Sequence, residues 1–131
     1  MKTDIDIKDI VYNIVKDSEL STIVTGIVSK AGRPDGSQDE DIVISVLANQ
    51  NAQEQTAFIN VNIFVQDLKK DTSFIENTIR LRELCRLSAD LFNVINQGDY
   101  RITLDTQRVL EQSATNEHFI NNKLLYRTLN E

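Results

Sequence analysis

The stretch SKAGRPDGSQDEDIVISVL, Ser29 to Leu47, gathers the residues most able to do chemistry. It carries Arg33 and four acids, Asp35, Asp39, Glu40 and Asp41. Carboxylate oxygens in a loop are hard ligands suited to Mg²⁺ or Ca²⁺. Yet Asp-Gly-Ser-Gln-Asp-Glu-Asp does not follow the EF-hand order, in which glycine comes sixth. GRPDG lacks the Gly-Lys-Ser/Thr ending of a phosphate loop and does not open a helix. The plain reading is a solvated loop between two strands, mobile in the isolated subunit, with its acids keeping the tip in water. The functional reading is a loop that contacts protein.

The other candidates are sparse. His118 is the sole histidine and Cys85 the sole cysteine, so they cannot form a zinc site with further ligands of their kind. His118 reads as a surface histidine at a turn-to-strand boundary. Cys85 falls on an apolar helical stripe and reads as a core thiol, since reactive cysteines need a basic, partly open setting. Arg82 and Arg86 lie one turn apart beside Arg80, Glu83 and Asp90. They read as an exposed, salt-bridged helix face or as a cationic strip that meets an acidic patch on another copy. No catalytic, cofactor-binding or metal residue is assigned, and no enzyme or cofactor is expected. The candidate subunit or partner contacts are Arg33, Asp35, Asp39, Glu40, Asp41, Arg82 and Arg86.

These residues need a scaffold, and 131 residues suit one domain spanning 1–131. Apolar residues make up 40% and charged residues 26%, as in an ordinary soluble protein. The acidic start MKTDIDIKDI has no apolar signal region, and one cysteine fits a reducing cytoplasm. Twenty acids against fourteen bases give −6, which argues against general binding to nucleic-acid phosphates while leaving room for a small basic patch.

Ile7, Ile10, Val11, Ile14 and Val15 recur at helical spacing, which predicts a short helix over Ile5 to Lys16 capped by Asp4 or Asp6. Thr22–Ser29 reads as a strand, with Gly26 marking a bulge or a close backbone approach. Asp41–Ala48 reads as a central strand. Thr56–Gln66 alternates cleanly: Ile59, Val61, Ile63 and Val65 on one face, Asn60, Asn62 and Gln66 on the other with Phe58 and Phe64. Those phenylalanines imply a covered patch, under a helix or a neighbouring subunit. Ser73-Phe-Ile-Glu76 fits a capping box that opens a long helix to about Asn96, closed by Gly98. Tyr100–Leu110 and Phe119–Leu129 read as the last strands. The fold expected is α+β: an antiparallel sheet of about five strands, a short N-terminal helix and one long helix on one face, in the order α-β-β-β-α-β-β.

The segments VYNIVKDSELSTIVTG, KAGRPDG, DIVISVLA, FINVNIFV, LRELCRLSADLFNVI, YRITLDTQRVLEQSA and FINNKLLYRTL, in this order, resemble the tail-completion or tail-terminator proteins of long-tailed bacteriophages and their head–tail neck relatives. The resemblance lies in element order, length and hydrophobicity over nearly the whole chain. It implies a structural subunit of the virion, made in the host cytoplasm, that closes into a ring, usually a hexamer. Such a ring ends the tail tube, meets neck and head-completion proteins, and passes DNA through its centre without specific binding, cofactor or membrane. The chain departs from the family pattern at Asp39-Glu40-Asp41, where a second proline is often found. A neck adaptor is the neighbouring reading. A cytoplasmic module holding a divalent ion in the 35–41 loop is the rival from another class.

Overall fold

A computed structural model describes the backbone of residues 1–129 and the side chains of residues 1–128. Helix α1, Asp4–Lys16, buries Ile7, Val11 and Val15. Its cap is Thr3 rather than Asp4 or Asp6. The Thr3 hydroxyl accepts from the Asp6 amide, and the Asp6 carboxylate accepts from the Thr3 amide.

The strand expected over Thr22–Ser29 shrinks to two residues. Glu19–Ile23 forms a short helix, α2, and only Val28–Ser29, β1, is extended. Hydroxyls of Ser21 and Thr22 donate to the carbonyls of Ser18 and Glu19, and these local bonds favour the helical turn. Gly26 does mark a close approach. A Cβ there would lie 2.7 Å from the backbone of Glu40 and Asp41 and would also strike the Asp41 carboxylate.

The remaining elements are β2 (Ile42–Gln50), β3 (Glu54–Gln66), β4 (Leu68–Lys70), β5 (Ser73–Ile75), α3 (Thr78–Phe92), β6 (Val94–Gln97), β7 (Tyr100–Gln112), a 3-10 turn (Ser113–Thr115) and β8 (Glu117–Leu129). The α+β class holds, but the strand count and order differ from the expectation. One sheet has six strands in the order β1-β2-β3-β8-β7-β6, and β4–β5 forms a separate two-stranded ribbon. β1 runs parallel to β2, against the antiparallel expectation, while the other pairs are antiparallel. β2 is not central: β1 covers only its Ile42 and Val43, and the middle belongs to β3 and β8.

The long helix is shorter than the sequence predicts. Asn77, not Ser73, caps it, its side chain accepting from the Arg80 amide at 3.2 Å. Ser73, Phe74 and Ile75 pair instead with Lys70, Lys69 and Leu68. The helix stops at Phe92 after 15 residues, about 22 Å. Val94 and Ile95 then pair with β7, and Gly98 (φ 62°) serves the β6–β7 hairpin turn rather than the helix end.

One face of the sheet carries the core. Ile59, Val61 and Ile63 of β3 and Ile120, Leu124 and Tyr126 of β8 are fully buried there, with Ile7, Val11 and Val15 from α1 and Leu81, Leu84 and Phe92 from α3. Burial of this kind contributes roughly 25 cal/mol per Å² of apolar surface. Among the described residues no helix lies over the opposite face. Arg33 reaches across one end, with its guanidinium carbon 4.2 Å from the Phe64 ring centre.

Candidate functional site

The sequence-selected acids do not stay in water together. Asp41 is buried, its side chain 2% exposed. Arg33 Nε donates to Asp41 Oδ2 at 3.0 Å, and Arg33 Nη1 donates to Glu117 Oε1 at 2.9 Å, where the Glu117 side chain is 1% exposed. Arg33 Nη2 donates to the carbonyls of Ser37 and Asp39. Asp41 also accepts from the Ser37 hydroxyl and the Ile27 amide, and Glu117 from Gln66 and Thr115. Every charge in this knot therefore has partners, the condition under which buried ion pairs are tolerated. Burial works against charge on both Arg33 and Asp41. The bonds to Glu117 and Asp41 outweigh it and raise Arg33's pKa. The bonds from Ser37, Ile27 and Arg33 outweigh it for Asp41 and hold its carboxyl below the usual range.

The 30–41 loop is thus pinned within a single subunit, contrary to the mobile loop expected. Glu40 is pinned as well. Arg80 donates to it from Nε (2.7 Å) and Nη2 (2.6 Å), and Nη2 donates also to the Ile23 carbonyl. The arginine that meets the acidic loop is Arg80 of the same chain, not Arg82 or Arg86, which stand exposed on α3. Asp35 and Asp39 are exposed. The structure therefore gathers Arg33, Glu40 and Asp41 into the loop's anchor and leaves Asp35, Asp39, Arg82 and Arg86 apart.

Glu117 is not singled out by the sequence, and Arg80 is read only as part of the helix face beside Arg82 and Arg86. The one available signal was Phe64 on a polar strand face. Within the chain its cover is Arg33 together with Phe119, 5.4 Å between ring centres, rather than a helix. Phe58 is likewise covered by Lys123, 4.5 Å from its centre.

His118 is half-buried rather than on the surface. Its Nδ1 lies 2.6 Å from Asp67 Oδ1 and its Nε2 3.6 Å from Glu76 Oε2. Asp67 and Glu76 flank the β4–β5 ribbon, so His118 ties down the ribbon's base. Each strand residue of the ribbon itself is exposed. Cys85 packs against the core, and burial pushes its thiol pKa up, which disfavours the thiolate.

Among the described residues no three His, Cys, Asp or Glu side chains are placed to hold a metal ion, since Glu40 and Asp41 are committed to arginines. Among the same residues no helix is long and apolar enough to cross a membrane. No protein-family model and no curated protein matches the chain.

Proposed function

We propose that this chain is a structural subunit that assembles with copies of itself into a ring at the end of a phage or prophage tail tube, joining the tube to the neck or head. The phage setting comes from the resemblance in element order. The self-assembly is supported by one observation above the rest, the β4–β5 ribbon. Leu68 and Ile75 share one of its faces and Phe74 lies on the other, exposed 49%, 45% and 46%. An isolated two-stranded hairpin is marginal in water. One with apolar side chains on both faces gains stability when another surface grips it. Cyclic closure requires such a projecting patch and a different receiving patch on each subunit. The ribbon also carries Lys69 and Lys70 on a chain of net charge −6, so an acidic copy is an electrostatically suitable host. On this reading the chain is not an enzyme, and its partners are its own copies (six by the resemblance), the tail-tube protein and the neck or head-completion proteins.

Light scattering coupled to size exclusion, over a concentration series with and without tail-tube ends, tests it. The expected result is a discrete ring, alone or on tube ends, that Phe74→Ser reduces to monomer without loss of folded signal. A parent chain that stays monomeric and ignores tube ends sinks the reading.

A further inference from the structure

The helix-free face of the sheet gathers basic side chains on an acidic chain. Side chains directly opposite one another across strands share a face. By the β7–β8 register, Arg101 and Arg127, Thr103 and Leu125, Thr106 and Lys123, and Arg108 and Asn121 all share this face, away from buried Ile102, Asn122 and Leu124. Its two acids on the long strands are already engaged, Glu54 with Arg127 at 2.6 Å and Glu117 with Arg33. Asp99 and Asp105 sit in the hairpin turn and the bulge. Arg101, Arg108 and Lys123 have no ion pair among the described residues. Arg101 stands directly opposite Arg127, whose own counter-charge is Glu54.

A half-buried amide cluster lies between these cations. Asn121 Nδ2 donates to Asn60 Oδ1 (3.2 Å) and Asn62 Oδ1 (2.7 Å). The described apolar side chains on the face include half-buried Phe58, Leu110, Phe119 and Leu125 on the long strands and exposed Val94 of β6, opposite Thr103 at its edge. The face's arginine, lysine, amide and hydroxyl groups match the donors that contact phosphate oxygens without reading sequence.

The geometry points to this face as a sequence-independent contact for a nucleic-acid phosphate backbone, with Arg101, Arg108 and Lys123 as its cations. The surface exists on the single subunit, so the inference goes beyond the ring and stands or falls separately from it.

The test uses fluorescence anisotropy of a labelled duplex of mixed sequence, titrated with the full chain carrying Phe74→Ser so that assembly does not contribute. Between about 50 and about 200 mM salt, three phosphate contacts give a log–log slope of about −3. The triple variant Arg101→Gln, Arg108→Gln, Lys123→Gln is expected to weaken low-salt binding more than about tenfold and flatten the slope. A control with equal charge loss elsewhere, Lys2→Gln, Lys8→Gln and Lys16→Gln, is expected to leave both within about twofold. Circular dichroism confirms that both variants fold. Absence of low-salt binding overturns the inference, as does equal weakening by the control. So does polyglutamate bound as tightly with the same dependence on the three cations, which would make this an acidic-protein surface.

Discussion

Two excursions leave the same end of the sheet and are anchored by adjacent residues of β8. The 30–41 loop crosses to the helix-free face, where Arg33 meets Glu117. The β4–β5 ribbon leaves from Asp67 and returns at Glu76, and both acids meet His118. Because successive side chains of a strand point to opposite faces, one dipeptide serves both. The loop is tied along its length, through Arg33, Ser37, Glu40 and Asp41, with two nearly solvent-free carboxylates. The ribbon is tied at its base alone, and its six strand residues are exposed. Length and polarity therefore do not separate a structural excursion from one built for a partner. What separates them is whether its charges and apolar groups are satisfied inside the subunit. The loop completes the fold; the ribbon is left incomplete by it.

If the loop completes the fold, the largest effect follows from Arg33→Ala. It strands Asp41 and Glu117 without their cation, and removing one partner of a buried pair costs about 3–5 kcal/mol. That is a large share of the roughly 5–15 kcal/mol that holds a domain together. The urea midpoint should fall accordingly with the slope unchanged. A loss below about 1 kcal/mol would place the loop with the ribbon as a detachable excursion.

A smaller, pH-dependent effect follows at Asp41, whose carboxyl sits below its ordinary value. A group whose folded pKa is lowered adds stability that is present above its unfolded pKa, about 4, and is lost as pH falls through the folded value. Asp41→Asn should therefore destabilise most near neutrality, and the gap to the parent should narrow as the pH drops to about 3. Urea melts at a series of pH values read this directly. A constant gap would mean that packing, rather than the charge, holds Asp41 in place.

How far the sequence announced this arrangement depends on the range of the signal. Ile7, Val11 and Val15 and the alternation from Ile59 to Val65 report local periodicity, and α1 and β3 follow them closely. Gly26 reports a local steric need, which the Glu40–Asp41 backbone supplies. Ser73-x-x-Glu76 was misleading because one short pattern suits either a helix start or a strand, and pairing with Leu68–Lys70 decided it. The Asp39-Glu40-Asp41 run looked like solvent-facing loop because Arg33's second partner, Glu117, lies 84 residues away. Contacts at that separation leave no spacing to read. The exposed ribbon was equally hidden, since Ser73-Phe-Ile-Glu76 reads as the start of a helix that does not extend there.

The smallest expected effect sharpens the comparison from the ribbon's side. Leu68 and Ile75 are cross-strand partners, so Asp67 and Glu76 lie close enough for a two-residue turn to join them. Replacing Leu68–Ile75 by Gly-Gly removes every exposed ribbon residue and leaves both acids beside His118. Surface changes of this kind usually lie within about 0.5 kcal/mol, and the closure entropy of a shorter loop favours the variant slightly. The urea midpoint should hold while self-association is lost, which separates the ribbon's role from folding in one protein sample. A second variant, His118→Gln, keeps the ribbon but removes its tie, and should raise amide exchange from Lys69 to Ser73 with the 30–41 loop unchanged. If the shortened chain instead loses more than about 2 kcal/mol, the ribbon is part of the subunit's own core, and the distinction between the two excursions fails.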